Sequence, residues 1–149
     1  MPSVIIREMK ETDLDEVSDI EMQCFTRPWT RENFRDSINR DDTIFVVAAD
    51  DTEVAGYVGM YVAFGEGEIT NVAVSPIRRR EHIGSALIAG VNTIAEAENM
   101  SSIILEVRAS NTAAIALYSK FGYENIGVRK NFYDFPREDA IIMKRNFGC

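Results

Sequence analysis

Three places in the chain carry residues whose types and spacing could do chemistry. The first is Ser75-Pro-Ile-Arg-Arg-Arg80-Glu-His-Ile-Gly84-Ser-Ala, which joins the end of an apolar run to the start of a helical pattern. A helix start presents free backbone N–H groups and a partial positive charge, so Arg78, Arg79 and Arg80 beside it suit a pyrophosphate. The same run also reads as a solvated surface turn. Neither a GxxxxGK[ST] loop nor a GxGxxG fingerprint is present. The second place is Glu106. In Ile103-Ile-Leu-Glu-Val-Arg108 the alternation groups residues 103, 105 and 107 on one face and leaves Glu106 with Ile104 and Arg108 on the other. A carboxylate on such a strand can act as a general base, or can be a half-exposed partner of Arg108 two residues on. The third is the stripe Ala114, Leu117, Tyr118 and Phe121, where Tyr118 offers a phenolic proton or simply fills the core. Asn111 just ahead of it is explained by N-capping alone.

Other chemistries find no support. His82 is the single histidine, and no second His or Cys stands near it at metal-ligand spacing, so no metal site is expected. Cys24 has no local base to activate it, and a GxSxG elbow is absent.

The elements that must position these residues follow from periodicity. Val4 to Ile6 reads as a strand; Asp13 with Glu16 forms a capping box ahead of Leu14, Val17 and Ile20. Thr30 is an N-cap, flanked by Trp29 and Phe34 at hydrophobic-staple spacing, for a helix running to about Arg40. Ile44 to Ala49 is a continuous apolar run, Asp50 to Glu53 a hairpin turn, and Val54 to Phe64 a strand rich in β-branched and aromatic residues. In Glu68 to Val74 the apolar residues Ile69, Val72 and Val74 slip by one from strict alternation, which predicts a β-bulge. Pro76 stops that strand, and Ile83, Leu87, Val91 and Ile94 mark a helix. Ser102 to Val107 is a strand, the helix after Asn111 ends at Gly122, and two strands close the chain, at about Tyr123 to Val128 and Asp139 to Arg145, around a loop holding Phe132-Tyr-Asp-Phe-Pro136. The order βααβββαβαββ is that of an α/β sheet with helices on its faces.

The chain has 149 residues, enough for one core, and no linker or repeat divides it, so residues 1–149 are read as a single domain. With 16 basic and 24 acidic residues, 16 − 24 gives a formal charge of −8. That balance argues against nucleic acid and anionic membrane surfaces as partners and leaves basic ones in play. Two scattered cysteines, Cys24 and Cys149, suit a reducing cytoplasm; the amino terminus does not read as a signal peptide, and no apolar run is long enough to span a bilayer.

Taken together, Asn71-Val-Ala-Val74, Arg79-Arg-Glu-His-Ile-Gly84, Leu105-Glu-Val-Arg-Ala-Ser-Asn111, Ala116-Leu-Tyr118 and Phe121-Gly-Tyr123 resemble the GNAT family of acetyl-CoA-dependent N-acetyltransferases. The likeness extends to Pro28-Trp29, Arg129-Lys-Asn-Phe-Tyr133 and Arg137-Glu-Asp-Ala-Ile-Ile-Met143, within a branch that acetylates a ribosomal protein's N-terminus. It implies a mixed, mostly antiparallel twisted sheet of about seven strands flanked by four helices. It further implies that the bulged strand ending in Val72, Ala73 and Val74 holds the pantetheine arm and thioester, with the Val74 amide stabilising the oxyanion. The backbone of Arg79, Arg80, Glu81, His82, Ile83, Gly84 and Ser85 would hold the pyrophosphate, and Asn111 would add a cofactor contact. Glu106 would deprotonate the amine, Tyr118 would protonate the departing thiolate, and Trp29 and Tyr133 would wall the acceptor groove. The implied cosubstrate is acetyl-CoA without a metal, the implied partner a basic ribosomal protein's N-terminus, and the protein a monomer or weak dimer.

His82 departs from the family's Q/R-x-x-G-x-G/A motif, since it stands at the first glycine, and a positive φ there would not suit it. Two other readings stay open. An enclosed pocket would favour a small-molecule amine as acceptor, and a non-catalytic acyl-CoA-binding module would keep the fold without the chemistry.

Overall fold

The computed structural model describes residues 4–134 and 136–148; the expectations that touch Met1 to Ser3, Phe135 and Cys149 lie outside the described residues. The apolar run at residues 44–49 forms β2 (Thr43–Ala49) and is continuous because the strand is covered on both sides. Phe45, Val47 and Ala49 enter one core cluster, while Val46 and Ala48 enter the other. Beside it run β1 (Ile5–Glu8), β3 (Val54–Ala63) and β4 (Glu66–Val74), then β5 (Ser102–Arg108), β7 (Glu138–Asn146) and β6 (Glu124–Tyr133). The sheet order is β1-β2-β3-β4-β5-β7-β6, with β4 and β5 parallel and every other pair antiparallel. This is the mixed, mostly antiparallel seven-stranded sheet expected.

Helices α1 (Leu14–Cys24) and α2 (Arg31–Ile38) cover one face through Leu14, Val17, Ile20 and Phe34. Helices α3 (Ile83–Ala97) and α4 (Thr112–Lys120) cover the other through Ile83, Leu87, Ile88, Val91 and Tyr118. Thr30 caps α2 as expected: its Oγ1 accepts from Asn33 N at 3.1 Å, and the Trp29 and Phe34 rings meet at 5.2 Å. The helix stops at Ile38, two residues short of the expected end.

Two local expectations fail because distant partners compete for the same atoms. Asp13 makes no side-chain cap for α1. Its carboxylate accepts from Arg7 Nη1 and Nη2 and from Lys10 N, all at 2.8 Å, while Glu16 Oε2 accepts from Val54 N at 2.8 Å. A buried carboxylate gains more from a two-pronged guanidinium than from a helix-end amide. The closing hairpin also differs: β6 continues to Tyr133, so Phe132 and Tyr133 belong to the strand and only a short turn remains before β7.

Candidate active site

The expected bulge is present and sets the geometry of the site. Gly59 pairs with Asn71 and Met60 with Ile69, which leaves Thr70 as the extra residue of β4. On the other edge of β4, pairing to β5 ends at Ile69 opposite Leu105, one residue before the bulge. Beyond that point Asn71–Val74 and residues 106–108 diverge and a cleft of about 830 Å³ opens between them. Ser75 N donates to Ala55 O at 2.8 Å, so its amide points to β3, and the two-residue alternation turns the Val74 amide the other way, toward the cleft.

One end of the cleft is the start of α3. His82 is its N-cap with φ +62°, and no side chain caps the helix, so its first amides are free to bind an anion. Arg80 also has a positive φ, +70°. Gly84 lets α3 approach α4 closely: a Cβ there would come within 3.2 Å of Leu117 Cδ2, which would have to shift by a few tenths of an ångström. Arg79, Arg80, His82, Ile83, Gly84 and Ser85 all line this end. The side chain of Arg80 has no polar partner among the described residues, which leaves it available to phosphate. Arg78 is different from its neighbours. Its three nitrogens donate to Asp50, Glu53 and Glu81, each at 2.8 Å, and it is 12% exposed. Three carboxylates thus hold it as a brace between the β2–β3 turn and this loop, so although Arg78 also lines the cleft its guanidinium is already engaged, unlike that of Arg80. Glu81, bound to Arg78, does not line the cleft.

In the middle lie Glu106 and Tyr118. Glu106 pairs with Arg129 of β6, Nε to Oε2 at 2.9 Å, while Arg108 pairs with Glu138, so the Glu106–Arg108 pairing read from the sequence is not formed. The Glu106 Oε2 atom is buried and the pair is not aligned as a hydrogen bond. Tyr118 is buried against Tyr123, and burial pushes its phenol up to about 12, so it stays protonated across the neutral range. Asn111 lines the cleft and caps α4, its Oδ1 accepting from Ala114 N at 3.1 Å.

A second groove of about 480 Å³ adjoins the first, and the two share Phe25, Arg108, Asn111 and Tyr133. Burial raises the Tyr133 phenol, helped by the nearby Glu106 charge. Trp29 lines neither concavity. Its ring turns inward onto Phe34 and Phe45, and its amide donates to the buried Glu21 at 2.9 Å. The aromatic of the α1–α2 loop at the site is Phe25, which no periodicity marked; it is 43% exposed directly after α1. Arg108 was read only as an ion partner, yet it stands in both walls.

Free helix amides, two arginines and an unpaired strand edge in one cleft fit coenzyme A, and the site is that of an acyl-CoA-dependent N-acyltransferase. The chain belongs to the Acetyltransferase (GNAT) family, which it matches over residues 14–123. It is 33% identical over 140 residues to the ribosomal protein bS18-alanine N-acetyltransferase of Escherichia coli (strain K12), covering 93% of this chain and 94% of that one. The crystal structure of the ribosomal-protein-S18-alanine N-acetyltransferase from Escherichia coli superposes with a TM-score of 0.91 at 30% identity, covering 99% and 96%. At the level of fold alone, Arabidopsis thaliana NAA60 in complex with acetyl-CoA matches with a TM-score of 0.88 at 19% identity, covering 97% and 99%.

Proposed function

We propose that the enzyme transfers acetyl from acetyl-CoA to the N-terminal α-amine of a protein, a basic ribosomal protein by analogy with the Escherichia coli relative, by direct attack with both substrates bound. The observation that carries this reading is the meeting of two concavities along Tyr133, Arg108, Asn111 and Phe25. One accommodates the thioester and the other its acceptor, so no covalent acetyl-enzyme is needed.

Acetyl-CoA supplies the acetyl group as a thioester. The start of α3, with Arg79 and Arg80, binds its pyrophosphate, and the β4 edge from Val72 to Val74 aligns the pantetheine arm. The Val74 amide donates to the carbonyl oxygen as negative charge grows there. As the amine nitrogen bonds to the carbonyl carbon and the C–S bond breaks, Glu106 takes the proton that the nitrogen sheds, directly or through water. Tyr118 offers its O–H to the departing sulfur. An α-amine, with a pKa of roughly 7.7–8.0, is substantially neutral near pH 7–8, so a modest base suffices; a lysine at roughly 10.4 would need more help.

Initial-rate kinetics with both substrates varied test the direct route. Intersecting reciprocal plots and no acetylated enzyme on mass spectrometry are expected. Parallel plots with an acetyl group on Cys24 would overturn it.

A further inference from the structure

Arg108 ends β5 two residues beyond Glu106 and on the same face of the strand. Its guanidinium is committed to the β6–β7 connection. Nη1 donates to Pro136 O at 2.9 Å and to Glu138 Oε1 at 3.2 Å, and Nη2 donates to Asp134 O at 3.1 Å. The same group lies over the Tyr133 ring, 4.4 Å from its centroid. Glu138 is anchored from the other side, since its Oε2 accepts from Ser110 N at 2.5 Å. A guanidinium holds its donors in a rigid plane, so these contacts fix direction as well as distance.

The strand ladder does only part of this work. The β6–β7 register is interrupted between Arg129 and Tyr133 and resumes at the single pair Tyr133–Glu138, so the stretch leading to the groove is not positioned by regular pairing. Backbone carbonyls of a turn, the Glu138 carboxylate and one aromatic face, all turned to a single arginine, supplement that one pair.

We propose that Arg108 is the positioning residue of the acceptor site: by clamping Asp134, Pro136 and Glu138 and stacking on Tyr133, it sets the wall of the groove against Glu106. The inference rests on reading that groove as the acceptor site, and it assigns Arg108 no proton to move.

The test compares Arg108→Lys and Arg108→Gln with the wild type, using acetyl-CoA and a peptide with a free α-amine, together with backbone hydrogen exchange. Lysine keeps the charge but loses the fork, so it should not rescue. Both variants should raise the acceptor KM about tenfold or more, as misplacement of a substrate wall does, with the acetyl-CoA KM changed by less than about threefold. Exchange should accelerate at residues 131–134 and 137–139 while α3 and β2 keep their protection. An unchanged acceptor KM overturns the inference whatever the exchange shows. So does full rescue by lysine, or an equal loss in both KM values with protection falling throughout the molecule, which marks a purely structural role. A wild type that acetylates no peptide α-amine sinks the acceptor reading instead; hydrogen exchange unchanged in both variants then overturns the clamp as well.

Discussion

At the scale of single residues, Glu106 and Tyr118 differ in what the fold does to them. Glu106 sits at the parting of β4 and β5 with an exposed arginine behind it, a pair worth little in stability. Tyr118 is buried, and its phenol holds its proton to about 12. Glu106→Gln should lower kcat about 10²-fold or more with acetyl-CoA binding intact by calorimetry. Rate against pH should rise as the acceptor's amine loses its proton, near roughly 8, and stay flat to about pH 10. The sign follows from the raised phenol: its acid form is lost only above the range assayed, so no alkaline fall arises from Tyr118. Tyr118→Phe should reduce the plateau by about 10²-fold without moving the rising limb. A shifted limb would show that Tyr118 is not a proton or hydrogen-bond donor to the leaving group. His82 holds a left-handed conformation at the family's glycine position. His82→Gly trades about 1 kcal/mol of backbone relief against a similar gain in unfolded-chain entropy. Urea unfolding should therefore change by less than about 0.5 kcal/mol, whereas His82→Val should cost about 1–3 kcal/mol. Equal effects of the two would contradict the backbone account.

At the scale of elements, the bulge at Thr70 is what opens the site. Deleting Thr70 returns Ile69 and the two valines to strict alternation and lets β4 and β5 pair further along their length. The variant should remain folded by circular dichroism and lose more than about tenfold in acetyl-CoA affinity, or about 1.4 kcal/mol. Unchanged affinity would detach the bulge from the cleft. This slip was readable in the sequence because alternation is a local signal. So were the caps at Thr30 and Asn111, which need only the next three residues. What the sequence concealed depends on residues far along the chain. Arg78 was grouped with Arg79 and Arg80 until Asp50 and Glu53, 28 and 25 residues earlier in the chain, claimed it. Asp13 looked like a cap until Arg7 reached it, and Trp29, which the family resemblance put at the groove, turns its ring inward onto Phe45. Tyr133 lines both concavities from the end of β6 rather than from a loop, a placement the sequence concealed because a broken register has no local signature.

At the scale of the whole molecule, the formal charge of −8 coexists with arginines at the cleft itself, Arg79 and Arg80 at one end and Arg108 at the other. The positive charge is local to the cleft, and the acidic field belongs to the remaining surface. That field should attract a basic acceptor over distances comparable with the Debye length. For a lysine- and arginine-rich peptide, kcat/KM should fall several-fold between about 0.05 and 0.5 M salt, with kcat nearly constant. A neutral peptide of the same first residues should show no such fall; equal salt dependence would remove steering from the account. The central claim is transfer to an α-amine. It is tested most directly by incubating the enzyme with acetyl-CoA and a basic peptide that carries both a free N-terminus and internal lysines, then locating the added acetyl by fragment mass spectrometry. Acetyl on the N-terminal nitrogen alone is the predicted result. Acetyl on lysine with the N-terminus untouched, or transfer only to small amines, would contradict it.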